Sequence, residues 1–256
     1  MKVYISLTSI FQKQNNLLKT LKSILKQTLL PDECFIYLSE EPYLIDKGFK
    51  NKKLNEELNE FLNKNTIFKV KWCKNIGPYR KLLYLLKEKW DENCLILTID
   101  DDIEFHHNLV KDYISDYKKY KCCICYRGKT FDIKNNDFSN FNYDKPDRPI
   151  LKQLFNFANS GVGTVTHPSF FHKTGNLIFD LDLITELCKT TDDIWYYFCR
   201  IANNIETIVI NKPHYLRFNM TNFNNTSLFR NFNSINNNNT KNFQKTAKKF
   251  IELNLL

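Results

Sequence analysis

Over its first 126 residues the chain alternates short apolar runs with segments whose apolar residues repeat at three and four, and this alternation narrows the available folds most. Runs at 3–7, 34–38, 67–72, 94–99 and 122–126 are apolar and rich in β-branched or aromatic residues, which predicts five strands. Between them Leu17, Leu18, Leu21, Ile24 and Leu25 share one face of a helix that must end before Pro31. Leu54, Leu58, Phe61 and Leu62 repeat the pattern, as do Leu82, Leu83, Leu85 and Leu86. Strand, helix and strand in succession build parallel crossover units, so the expectation is an α/β protein with a Rossmann-like, doubly wound, mostly parallel sheet flanked by helices. Ligands of such sheets sit at the carboxyl ends of the strands, where chemistry is expected.

With 256 residues, 43% hydrophobic and 25% charged, the chain has material for one sizeable core. Residues 128–153 are polar, aromatic and aperiodic, and predict a long loop. A strand at 161–166, a helix at 192–203 and a strand at 207–210 follow. Residues 219–242 are dominated by Asn and predict a loop or flexible arm, with an amphipathic helix over 243–253. The expected division is a globule over 1–211 and a C-terminal basic arm and helix, 212–256, packing on the same domain.

Thirty-seven Lys and Arg against 28 Asp and Glu give a formal charge of +9, which first suggests an anionic partner. The excess is uneven. From Lys212 onward seven bases (Lys212, Arg217, Arg230, Lys241, Lys245, Lys248, Lys249) face one acid, Glu252, so +6 of the charge lies in the last 45 residues. A duplex-binding domain spreads its phosphate contacts over a docking face, so a nearly neutral globule with a basic tail suits a small anion better, and no nucleic-acid partner is expected. Arg217, Arg230 and Lys241 could fold over a diphosphate; an anionic acceptor or peripheral membrane contact is the alternative.

No run reaches the roughly 18 apolar residues of a transmembrane helix. The strand-like run at 3–7 also leaves no room for a signal peptide, so a cytoplasmic location is expected. Eight cysteines then read as buried thiols, including the Cys122/Cys125 pair, which lacks a second pair at zinc-ribbon spacing.

The strongest local signal is the run CLILTIDDDI at 94–103, a buried strand entering three carboxylates. Continued alternation would put Asp100 and Asp102 on one side and turn Asp101 away. Paired carboxylates call for a divalent cation such as Mn2+ or Mg2+, and a cation sharing its other positions with a diphosphate makes a nucleotide-sugar site. Capping of a helix near His106 is the structural alternative. His106 and His107 follow closely enough to extend a metal site, although a helix there would turn one away.

The motif resembles the DxD of GT-A-fold glycosyltransferases. The words VYISLTSI, LLKTLKSILKQTLLPDECFIYLSEE, GPYRKL, TIDDDIEF, CYRG, GVGTVTHPSFF and TTDDIWYYF stand in the order used by a glycosyltransferase-two-like family, covering the chain to about residue 210. The Asn- and Lys-heavy composition resembles that of an AT-rich genome, such as a giant virus, whose protein would act in the host cytoplasm. The resemblance implies an inverting, metal-dependent transfer of a sugar from a nucleotide-sugar donor, most often a UDP-sugar, to a glycan or other hydroxyl acceptor. It places Asp100 near the ribose and Asp102 on the metal, with Asp100 and a C-terminal His, here His214, as further ligands. Thr8, Ser9, Glu40 and Asp101 would lie along the nucleotide. Arg80 and Lys81 would approach it, or else form a solvated helix face. Of the acidic pair, Asp193 is the expected general base and Asp192 its rival, with first-turn helix charges as the structural reading. Gly161 and Gly163 suggest close backbone approach to the donor sugar, or a bulge. Trp195, Tyr196 and Tyr197 could stack on an acceptor, though core packing suits at least two of them. A non-catalytic nucleotide- or glycan-binding module with the same fold is the competing reading.

Overall fold

The computed structural model describes residues 1–130, 133, 137–138, 150–210, 212, 219–220 and 226–256. Twelve strands are described: β1 Lys2–Thr8, β2 Glu33–Leu38, β3 Phe68–Trp72, β4 Cys94–Thr98, β5 Ile103–Glu104, β6 Cys123–Cys125, β7 Gly128–Thr130, β8 Ile150–Gln153, β9 Asn156–Ala158, β10 Thr164–Thr166, β11 Thr207–Val209 and β12 Asn219–Met220. The described helices are α1 Gln14–Leu25, α2 Glu56–Lys64, α3 Leu83–Glu88, α4 Leu109–Tyr120, α5 Leu181–Cys188, α6 Asp192–Ala202 and α7 Asn238–Glu252.

Eight strands form the central sheet in the order β3-β2-β1-β4-β10-β6-β11-β8. β1, β2, β3 and β4 run parallel, and β6 and β11 pair in parallel beyond β10, which is antiparallel to both of its neighbours. The fold is therefore α/β with a mostly parallel sheet flanked by helices, as the alternation predicts. β1 and β4 are buried on both faces, which is why their sequences are continuous apolar runs rather than alternating ones. α1 buries Leu17, Leu18, Leu21 and Ile24. α2 is capped by Asn55, whose side chain accepts a 2.9 Å hydrogen bond from Leu58 N.

Three expectations change. The strand expected at 161–166 is only Thr164–Thr166, because Ser160–Val162 forms a 3-10 turn and Gly163 takes φ +108°. The 128–153 segment holds β7 and β8 at its ends, and β7 pairs with β9. In the Asn-rich 219–242 segment the described residues include β12, a π-helical turn at Phe229–Asn233, and the first turn of α7, which begins at 238 rather than 243. Phe243 and Phe250 of α7 pack into the core against Phe198 of α6. Asn is a poor helix former, so this helix is held by tertiary burial rather than by propensity.

Candidate active site

Because β1, β2 and β4 are parallel, the segments leaving them emerge at one edge of the sheet. β10 runs the other way, so the turn entering it reaches the same edge. A cleft of about 810 Å³ opens there. Its walls come from Thr8–Ile10 at the end of β1, 43–46 after β2, Gly77, Pro78, Arg80 and Lys81 before α3, 100–102 after β4, Arg127 and Lys129, 159–161, 190–193 at the start of α6, and 226–230 and Asn233 from the C-terminal segment.

The three aspartates all line this cleft, which corrects the alternation argument: β4 ends at Thr98, and Asp101 and Asp102 lie in a turn. Asp101 accepts a short hydrogen bond from Ser9 Oγ and lies 3.4 Å from Lys13 Nζ. Asp102 lies 2.9 Å from the same ammonium. Asp100 pairs instead with Lys81, at 3.2 Å. Burial, aided by the charges of Asp102 and Asp100, pushes the Asp101 carboxyl up to about 6 against the pull of Lys13. Burial would raise Asp100 too, but the Lys81 ammonium beside it holds it below the usual carboxylate range.

Lys81 joins the two halves of the cleft. The Lys81 side chain is 7% exposed, and its ammonium group also lies 3.1 Å from Asp192 and donates to Ser160 Oγ at 2.7 Å. Burial pushes Asp192 up to about 7, with Asp193 and Asp100 adding to the shift and Lys81 opposing it. Burial also raises Asp193, whose two oxygens accept from Ser160 N at 3.4 Å. Neither acid makes a capping hydrogen bond. Thr191, in the N-cap position, gives its hydroxyl to Asn239 at 2.8 Å, and Thr190 gives its own to Asn233 at 2.5 Å. Asp193 is the more exposed of the pair, and Asp192 is held inside.

Arg80 and Lys81 are both buried, so neither forms a solvated face. Arg80 ion-pairs at 2.9 Å with Asp46, which also accepts from Asn75 Nδ2, Phe11 N and Gly48 N. That buried hub fixes the 43–46 wall. Thr8 lines the cleft with its hydroxyl donating to Tyr37 O. Glu40 is not on the cleft wall; it faces solvent, 3.7 Å from Lys52. Gly161 lines the cleft, and a Cβ on it would stand 3.4 Å from Asp100 Oδ2. Gly163 does not line it. Its left-handed φ and the Tyr113 hydroxyl, donating to Gly163 O at 2.7 Å, make it a packing glycine, and a Cβ would meet Tyr113 at 3.2 Å. Trp195 is not an acceptor platform either: it is fully buried, its Nε1 donates to Ile178 O at 2.9 Å, and its ring packs edge-on against Phe250. Tyr196 and Tyr197 are core residues as well.

The rings of His106 and His107 lie 4.1 Å apart, tilted by 33°, and do not line the cleft. His214 and Arg217 lie outside the described residues. Among those described, no group of three or more His, Cys, Asp or Glu side chains is arranged to hold a metal. A cation here would take one or two carboxylates, Asp102 and Asp100, and draw its remaining oxygens from phosphate and water, the usual manner of Mg2+. The donor set thus suits a cation arriving with a diphosphate rather than one caged by protein alone.

No protein-family model matches the sequence, and no curated protein matches it. Solved structures do. Residues 1–349 of S. aureus TarS, a glycosyltransferase of GT-A-like fold, align at 15% identity and TM-score 0.52, covering 82% of this chain and 60% of that one. The same piece in complex with UDP aligns at 14% and 0.51, covering 84% and 62%, and a structure of TarS aligns at 15% and 0.55, covering 83% and 35%. The fold is similar to that of TarS. The chain spans less than two thirds of each of these structures, and likeness at such identity is one of fold.

The three aspartates, the acidic pair and Arg230 are legible in the sequence, whereas Lys13, Asp46, Ser160 and the rest of the C-terminal wall, 226–229 and Asn233, are not. Lys13, four residues past Ser9, carries a local signal as a cation near the end of a central strand. The others are defined only by tertiary contacts.

Proposed function

We propose that the chain is a glycosyltransferase that moves a sugar from a nucleotide-sugar donor, UDP-linked, to a glycan or other hydroxyl acceptor with inversion. The observation that carries the reading is that carboxylates from the end of β4 and from the start of α6 meet across one cleft through Lys81. Its volume falls in the range of small-molecule sites, roughly 300–1,000 Å³. The likeness of fold to TarS, including TarS in complex with UDP, supports the donor class.

In this mechanism Asp193 accepts the proton of the acceptor hydroxyl as its oxygen attacks the anomeric carbon and the bond to the nucleoside diphosphate breaks. Lys81 holds Asp192 by an ion pair, which leaves Asp193 as the base presented to the cleft. Ser160 N orients the Asp193 carboxylate. Thr8 and Ser9, with the 43–46 segment, form the nucleoside wall. Mn2+ or Mg2+, held by Asp102 and Asp100, would supply charge neutralisation for the leaving diphosphate.

Thermal shift against a nucleotide panel, with and without Mn2+, tests the donor class: UDP with Mn2+ should raise Tm, and no shift with any nucleotide would overturn the reading. Asp193→Asn should keep UDP binding and lower transfer by about 10²–10⁴-fold, the usual share of a general base. Transfer retained in Asp193→Asn but lost in Asp192→Asn would exchange the two roles. Saturable UDP binding with no transfer to any of a broad set of acceptors would favour the non-catalytic module.

A further inference from the structure

Lys13 closes the 3-10 turn Phe11–Lys13 that follows β1. Its ammonium group stands 2.9 Å from Asp102 Oδ2 and 3.4 Å from Asp101 Oδ1, with the Lys13 side chain 16% exposed. A divalent cation that used Asp102 would stand beside this ammonium, and two positive charges at that separation in a partly desolvated cleft repel strongly. Lysine and cation therefore compete for the same carboxylates.

Lys13 differs from Lys81 in its freedom to leave. Lys81 is pinned by Asp100, Asp192 and Ser160 from three segments of the chain. Lys13 reaches the aspartates on a flexible four-carbon stem from the cleft wall, so its ammonium can move a few ångströms without unfolding the turn. Asp101 keeps its orientation without Lys13 because Ser9 Oγ donates to its other oxygen. Movement of Lys13 breaks its 2.9 Å pair with Asp102 and uncovers that oxygen of the carboxylate.

We infer that Lys13 is a displaceable counter-ion: in the free protein it neutralises Asp101 and Asp102 and keeps a divalent cation off them, and it passes to the phosphate oxygens when a nucleoside diphosphate enters. The inference rests on the nucleotide-sugar reading. Cation and nucleotide then bind as a coupled pair, and by linkage each tightens the other by the same factor.

Free Mn2+ measured by electron paramagnetic resonance, with and without UDP, tests this on the folded full chain, with folding checked by circular dichroism melting. Wild type should bind Mn2+ at least about tenfold more tightly with UDP than alone, within the usual range of coupling between sites. Lys13→Ala should bind Mn2+ alone about tenfold more tightly than wild type, by the same coupling, and Lys13→Arg should behave as wild type. The double variant Lys13→Ala, Asp102→Asn should lose the gain. If Lys13→Ala does not fold, Lys13→Gln, which keeps length without charge, carries the same expectations. A folded Lys13→Ala or Lys13→Gln that binds Mn2+ alone no better than wild type, while wild type still binds Mn2+ and UDP together, overturns the counter-ion role and leaves the donor reading standing. Wild type that binds Mn2+ equally with and without UDP also overturns it. Wild type that binds UDP under neither condition overturns both.

Discussion

An ammonium group shared by Asp100 and Asp192 compensates two carboxylates that belong to different halves of the cleft. Replacing it, as in Lys81→Met, leaves the buried Asp192 without this cation, and breaking a buried pair in this way costs about 3–5 kcal/mol, whereas Asp100, 39% exposed, can turn to water. Part of that cost disappears when Asp192 takes up a proton, so the loss of Tm should be larger at pH 8 than at pH 6. Wild type has a related slope of its own. Asp101 near 6 and Asp192 near 7 bind protons more tightly in the folded chain than an unfolded Asp at about 3.9. Their contribution to stability is therefore full below about pH 4 and is lost as pH rises through 6 and 7. Melting in the absence of cations should show Tm falling from pH 5 to pH 8, and Asp192→Asn should flatten the upper part of that slope. An unchanged slope would remove Asp192 as its source. At this scale the aspartate run is legible because a buried strand leads straight into it. Its partners are not, since Lys13 and Asp101 meet across 88 residues and nothing local encodes that pairing.

The elements differ in how visible they are for a physical reason. β1, β2 and β4 are buried by their own apolar runs, so composition reveals them, and α1 shows its apolar stripe. β7 and α7 depend on contacts far away in sequence. A Cβ on Gly128 of β7 would stand 2.4 Å from Phe157 O and 2.7 Å from Val209 Cγ2, so only glycine lets β7 pair with β9 beneath β11. Gly128→Ala should cost at least about 1–3 kcal/mol, as overpacking does, and should speed amide exchange in β7 and β9. The Asn-rich segment, which composition assigns to a flexible arm, instead uses two of its asparagines as latches on Thr190 and Thr191. Asn239→Ala leaves the buried Thr191 hydroxyl without that acceptor, a loss of about 1–3 kcal/mol. Because Thr191 precedes the acidic pair, kcat should fall more than donor KM rises. A change confined to KM would mean that the latch does not position α6.

For the whole molecule, the basic excess divides once it is placed. Arg230 lines the cleft, whereas Lys241 is exposed on α7, and Lys212 is tied to Asp112 and Asp116 of α4. Arg230→Ala should raise donor KM severalfold, and the effect should shrink in high salt. Lys241→Ala should leave KM unchanged. Equal effects would return the charge to a diffuse field rather than a contact. No helix among the described residues is long and apolar enough to cross a membrane.

β12 pairs with β5, which begins immediately after Asp102, and 226–233 walls the same cleft that Thr8 opens. The pocket is thus stitched from both ends of the described chain. During translation, the aspartates emerge from the ribosome well before the segment that covers them. A nascent chain halted near residue 210 would carry the acidic floor of the pocket but not its far wall, so the complete pocket arrives late in synthesis.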